Sequence, residues 1–144
     1  MNRLNKDVSK FRLDGQVALV TGSTRGIGWA IARGMAESGS TVYVNGRDKK
    51  VLAARCKNLI DLGYDAKPAF FDATNIEAIN RFLDYTEAPI DILVNNAAIR
   101  LRKPLSEISP KAFSEVLEAN LPSIYACLLY TSDAADDCSS VGVG

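Results

Sequence analysis

A parallel α/β sheet with helices on both faces is the fold class predicted by this 144-residue sequence, and three observations carry the prediction. Residues Val17 to Trp29 read VALVTGSTRGIGW: a short apolar run, a glycine-rich turn and the opening of a helix. Apolar segments of strand length then alternate with amphipathic, capped segments of helix length along the chain. Short turns join these segments, so right-handed crossovers arrange them as half of a doubly wound domain with strand order 3-2-1-4.

Each element has a local cause. Asp14-Gly15 is a turn signal, and Val17, Ala18, Leu19 and Val20 are apolar without alternation, as in a strand covered on both faces. The glycines at 22, 26 and 28 follow as T-G-x-x-x-G-x-G, a turn that lets backbone approach a pyrophosphate at a helix N-terminus. Ile27, Ala30, Ile31, Gly34 and Met35 fall on one stripe of that helix, expected to face the sheet, and Gly39 stops it. Thr41–Asn45 (TVYVN) is the second strand. Asp48 caps a helix whose Leu52, Cys56 and Leu59 point inward, ending at Gly63.

Ala66–Phe71 gives a third strand, and Thr74 with Glu77 reads as a capping box for a helix burying Ile79, Phe82 and Leu83. Ile90–Val94, after Pro89, is the fourth strand. Ser109 is the expected N-cap of a helix with Pro110 at its first position and Phe113, Val116, Leu117, Asn120, Leu121 and Ile124 on one side. Pro122 removes a helical hydrogen bond at a cost of about 3 kcal/mol. A kink near Asn120 is therefore expected, leaving the Glu118 carbonyl free for water.

Composition narrows the function classes. The length suits one domain. The net charge is zero, and neither that value nor the +3 carried by residues 1–126 points to nucleic acid or a charged membrane as partner. Cys56, Cys127 and Cys138 form no disulfide framework, which fits a reducing, cytoplasmic setting. The N-terminal MNRLNKDVSKF contains no continuous apolar segment and reads as a flexible leader rather than a signal peptide or membrane span. The chain has no histidine, and no metal site is expected.

The glycine spacing, Asp72 in FDAT, Asn95-Asn96-Ala97-Ala98 after DILV and Asn120 in EANL together resemble the short-chain dehydrogenase/reductase family from about Leu13 to Ala126. That resemblance implies a Rossmann-type nucleotide-binding domain and a reaction that moves a hydride between a nicotinamide and an alcohol or ketone. By resemblance, Thr21, Gly22, Ser23, Arg25, Gly26, Ile27 and Gly28 surround the pyrophosphate and the adenosine phosphate. Asp72 receives the adenine amine, and Asn95, Ala97 and Ala98 back the adenosine and ribose, Asn95 also tying adjacent strands. Asn120 would hold a water in the proton relay; a satisfied core asparagine is the plainer reading. A full-length homo-oligomer acting on a small carbonyl or alcohol is implied as well.

Cofactor choice rests on the end of the second strand, where NAD enzymes place an acidic residue about 20 positions beyond the glycine turn. Here that position is Gly46, followed by Arg47, and Arg25 lies in the glycine loop. NADP(H) is expected, with NAD(H) as the alternative. Arg100 and Arg102 follow NNAA in IRLRKPL, which, with NGRD at Asn45–Asp48, looks similar to the sugar-acid members of the family, the gluconate 5-dehydrogenases. Arginine suits a sugar-acid carboxylate through bidentate hydrogen bonds; solvated surface arginines are the other reading. Two alternatives stand beside this one: a 3-oxoacyl-carrier-protein reductase and a non-catalytic nucleotide-binding domain.

The family's Tyr-x-x-x-Lys pair has no match, since Tyr130 is followed four residues later by Ala134. Of the active-site residues only Asn120 is carried, so this chain is expected to be inactive. Domain organisation is read as 1–126, the N-terminal part of the nucleotide-binding domain, and 127–144, a non-native or disordered tail. In that tail, CLLYTSDAAD at Cys127–Asp136 resembles the translation of a transposase adapter used in sequencing libraries.

Overall fold

A computed structural model describes residues 8–133 of the protein. Four parallel strands form one sheet in the order β3-β2-β1-β4, as the sequence predicts. They are β1 (Val17–Val20), β2 (Thr41–Gly46), β3 (Ala66–Phe70) and β4 (Ile92–Val94). Between and after them run α1 (Gly26–Glu37), α2 (Lys49–Asp61), α3 (Ile76–Asp84) and α4 (Pro110–Asp133), with short 3-10 turns at Val8–Phe11 and Leu105–Glu107. β1 is central: Ala18 pairs with Val42 on one side and Ile92 on the other, and Val20 with Val44 and Val94.

Pleating sorts the strand residues onto two faces. Ala18, Val20, Val42, Val44 and Ala66 pack with Ala32 and Ala36 of α1 and with Leu52, Cys56 and Leu59 of α2. Leu19, Tyr43, Ala69 and Phe71 pack on the opposite side with Ile79 and Leu83 of α3 and with Ala126 and Cys127 of α4. Leu19, Leu52, Leu59 and Ile79 are almost completely enclosed. Each contributes about 1.5–3 kcal/mol relative to an exposed side chain. Among the described residues no helix is long and apolar enough to cross a membrane.

Several local expectations are corrected. The buried face of α1 is Gly28, Ala32 and Ala36, with Trp29, Ile31 and Met35 partly covered; Ile27 and Ala30 are exposed. Small residues at i, i+4 and i+8 let α1 lie close to the sheet, and this rotates the larger Ile27 outward. The N-cap of α3 is Asn75, whose Oδ1 accepts the Ala78 N–H at 3.0 Å, because the Thr74 hydroxyl is already committed to Asp72 at 2.8 Å. Asp48 caps α2 by accepting the Lys50 and Val51 N–H groups, and the Ser109 hydroxyl accepts from Ala112 at the start of α4.

α4 is one continuous helix across Pro122. Its inward side is Val116, Asn120, Ile124 and Cys127, while Phe113, Leu117 and Leu121, expected on the same side, are exposed. The expected boundary at 126/127 falls inside this helix: Cys127 is buried, and the helix runs on to Asp133. The rest of the expected tail, residues 134–144, lies outside the described residues.

Candidate functional site

The site grows from the carboxyl ends of the strands, where the sheet leaves backbone groups for a ligand. Thr21 directly follows β1, and its position is fixed by β4. Its N–H donates to the Val94 carbonyl at 3.0 Å, and its Oγ1 accepts the N–H groups of Asn96 and Ala97, each at 3.0 Å. The Asn96 amide donates to the carbonyls of Thr21 at 3.0 Å and Gly22 at 3.2 Å. The strand-tying asparagine is therefore Asn96. Asn95, expected in that role, is exposed.

Gly22 and Gly26 adopt φ of 62° and 58°, a left-handed conformation that side chains disfavour, and these two residues turn the loop. At Gly28 the limit is space: a Cβ would lie 2.4 Å from Asn96 Nδ2 and 2.5 Å from the Gly22 carbonyl oxygen. α1 then opens without a cap of its own, because Arg25 at the N-cap makes no side-chain hydrogen bond to the helix. The first N–H groups of α1, with the positive end of its dipole, face the loop's open side. This donor set fits a phosphate. The exposed Ile27 stands beside it.

Asn45 was not among the expected site residues, yet it organises the loop. It is 1% exposed at the end of β2. Its Oδ1 accepts the Gly22 N–H at 2.9 Å, while its amide donates to the carbonyls of Ala69 at 2.9 Å and Phe71 at 3.1 Å. Its own N–H donates to Ser23 Oγ at 2.8 Å, and its carbonyl accepts the Ser23 N–H at 3.0 Å. One buried side chain thus links the glycine loop to β2 and to the end of β3. The available sequence signal was a polar residue closing an apolar strand directly before a glycine.

Beyond that strand end, Arg47 Nη1 and Asp72 Oδ2 stand 3.5 Å apart. Asp72 Oδ1 accepts the Thr74 N–H at 2.9 Å and the Thr74 hydroxyl at 2.8 Å. Partial burial opposes ionisation of Asp72, but the Thr74 hydrogen bonds and the Arg47 charge outweigh it and hold the carboxyl below its ordinary range. A cavity of about 730 Å³ between β3 and α3 is lined by Tyr43, Arg47, Phe71, Asp72, Arg81 and Phe82, and its walls do not include the glycine loop.

Asn120 makes a two-point clasp on Ile99, the residue after NNAA. Its Oδ1 accepts the Ile99 N–H at 2.8 Å and its Nδ2 donates to the Ile99 carbonyl at 3.0 Å. α4 therefore holds the loop that follows β4, from which Ala98, Arg100 and Arg102 extend as exposed residues. Pro122 leaves the Glu118 carbonyl without its helical N–H donor. Among the described residues, no group of three or more His, Cys, Asp or Glu could hold a metal ion.

Comparison with known proteins matches this geometry to one family. The short chain dehydrogenase family profile matches residues 16–137. Gluconate 5-dehydrogenase of Gluconobacter oxydans is 38% identical over 118 residues, which are 80% of this chain and 46% of that protein. The crystal structure of a gluconate 5-dehydrogenase from Burkholderia cenocepacia in complex with NADP and tartrate is similar at a TM-score of 0.76 and 36% identity, covering 88% of this chain and 51% of that one. A 3-oxoacyl-(acyl-carrier-protein) reductase structure from Agrobacterium tumefaciens with NADP bound gives 0.75 and 33%, covering 90% and 52%. The chain spans about half the length of the relatives it matches. With its glycine loop, its 3-2-1-4 sheet and a family match over most of its length, this chain belongs to the short-chain dehydrogenase family.

Proposed function

We propose that the whole protein is an NADP(H)-dependent oxidoreductase that interconverts an alcohol and a ketone, with a sugar acid of the gluconate/5-ketogluconate type as substrate. The observation that carries the cofactor reading is the end of β2, where Gly46 offers no carboxylate and Arg47 projects into solvent beside Asp72. A carboxylate there would repel a 2'-phosphate; a guanidinium binds it through charge-assisted hydrogen bonds. The similar gluconate 5-dehydrogenase and 3-oxoacyl-(acyl-carrier-protein) reductase structures hold NADP, which supports the same reading.

In this proposal Thr21, Gly22, Ser23, Arg25, Gly26, Ile27 and Gly28 hold the pyrophosphate and adenosine phosphate, and the uncapped N-terminus of α1 supplies the donors. Arg47 takes the 2'-phosphate. Asp72 Oδ2, engaged among the described residues only by the long Arg47 contact, accepts the adenine amine, and Asn95, Ala97 and Ala98 back the adenosine and ribose. When bound, NADPH supplies the hydride. Asn120 keeps the loop after β4 in register through Ile99, and its neighbourhood beside the Glu118 carbonyl suits an ordered water.

Arg100 and Arg102, both exposed on that loop, are the proposed partners of a substrate carboxylate. Similarity to a 3-oxoacyl-(acyl-carrier-protein) reductase at nearly the same TM-score favours that activity as the second reading. An activity panel on the full-length protein separates the two. NADPH oxidation with 5-ketogluconate, faster than with a 3-oxoacyl thioester, is the expected result; the reverse order overturns the substrate assignment. The 144-residue chain alone is expected to be inactive, because a hydride step needs a positioned acid and Tyr130 has Ala134 in place of the paired lysine.

A further inference from the structure

The space beside Gly46 is closed by one side chain. A Cβ built at Gly46 would lie 2.5 Å from Thr24 Cγ2, and the next nearest atoms are Thr24 Oγ1 at 3.6 Å and Thr24 Cβ at 3.7 Å. The methyl alone makes a forbidden contact; the other two are ordinary van der Waals neighbours. The Gly46 backbone does not lie in the left-handed region, so its conformation admits any residue. For a Cβ, the methyl is the one atom in the way.

The backbone that carries Thr24 is held in place. Arg55 of α2 reaches across to donate from Nε to the Thr24 carbonyl at 2.8 Å, and its guanidinium lies 4.7 Å from the centre of the Trp29 ring. That ring contact steadies the arginine. On the other side of Thr24, the backbone of Ser23 is bonded to Asn45. The loop backbone is therefore pinned on both sides of the threonine, and a β-branched side chain is stiff at χ1.

We propose that Thr24, its backbone clamped by Arg55, is a specificity-determining residue: its methyl opposes a side chain at position 46 and so disfavours a carboxylate near the ribose 2' position. The proposal rests on the NADP(H) reading of this same site. It implies that Gly46→Asp alone does not convert the loop to NAD(H). The incoming Cβ displaces the loop and weakens binding of both nucleotides. The minimal compensating change is Thr24→Ser, which removes the methyl and retains the hydroxyl.

The test compares the 144-residue chain with its Gly46→Asp, Thr24→Ser and Thr24→Ser/Gly46→Asp variants, by thermal melting and by calorimetric titration with NADP+ and NAD+. Melting reads the steric claim without any nucleotide: Gly46→Asp lowers the Tm, and adding Thr24→Ser restores most of the loss. In titration, Gly46→Asp loses affinity for both nucleotides, whereas the double variant binds NAD+ at least about tenfold more tightly than Gly46→Asp does. Thr24→Ser alone keeps the NADP+ preference. A double variant that melts as low as Gly46→Asp, or a Gly46→Asp variant that already prefers NAD+ as strongly as the double, overturns the role of Thr24. If the parent chain binds neither nucleotide, or binds NAD+ as well as NADP+, the cofactor reading fails and the specificity proposal falls with it, even where the melting result holds.

Discussion

Arg47 Nη1 stands 3.5 Å from Asp72 Oδ2, across the carboxyl ends of β2 and β3. The Arg47 side chain is 76% exposed and that of Asp72 38%, so the pair is a loose surface contact worth at most about 1 kcal/mol. A phosphate that offers two or three charged acceptors competes easily for this guanidinium. Arg47→Ser is expected to weaken NADP+ binding by about tenfold or more and to leave NAD+ binding unchanged, as read by titration calorimetry. An equal loss for both nucleotides would assign Arg47 a structural role instead.

Asn45 is a buried polar residue whose side chain makes three hydrogen bonds. Asn45→Ala strands the Gly22 N–H and the carbonyls of Ala69 and Phe71. Each buried group left unpaired costs about 1–3 kcal/mol. Chemical denaturation should show a stability loss of about 3 kcal/mol. A loss under about 1 kcal/mol would mean that water replaces the amide.

Gly28→Ala tests the close approach of α1 to the loop. Its methyl would meet Asn96 Nδ2 and the Gly22 carbonyl oxygen within 2.5 Å, so either Asn96 leaves its two carbonyls or α1 moves away from β1. Overpacking of this kind costs about 1–3 kcal/mol. Nucleotide affinity should fall more than stability does, because the displaced atoms belong to the loop itself. Gly34→Ala, on the same helix with open space at its Cβ, is the matched control: it should leave nucleotide affinity unchanged and raise stability by about 0.5–1 kcal/mol.

Burial pushes the Cys127 thiol up to about 11 from its ordinary value of 9.0. The folded state therefore holds this proton more tightly than the unfolded state does. The resulting stabilisation is present below pH 9, and it is lost as the pH rises from 9 through 11. In a Cys138→Ser background, Cys127→Ala should flatten the fall in stability over that window. Alkylation at pH 8 should be slow for both Cys127 and Cys56, which is buried too, until denaturant is added.

The sheet order was legible because a glycine turn between an apolar run and a helix specifies both its neighbours, and because Asp48 and Ser109 announce helix starts by chemistry that needs no tertiary partner. Thr74 and Asn75 were confused for the opposite reason. Either can cap a helix, and the choice was made by Asp72, which takes the Thr74 hydroxyl.

Side-chain facing was read less well than element type. Ile27 looked like core by periodicity, but the small residues Gly28, Ala32 and Ala36 decide how close α1 comes to the sheet. Neighbouring identical residues defeat sequence reading as well: nothing local distinguishes Asn95 from Asn96, and the inward turn of the second is set by Thr21, which follows β1. Asn45 escaped because its partners lie 22 to 26 positions away in the chain.

The most direct test of the central claim, that the glycine loop and Arg47 receive a 2'-phosphorylated dinucleotide, is calorimetric titration of this chain with NADPH and NADH at two salt concentrations. NADPH is expected to bind at least about tenfold more tightly, with an advantage that shrinks as salt rises, because the discriminating contact is an exposed charge pair. NADH binding as tightly as NADPH, or no binding of either, would contradict it.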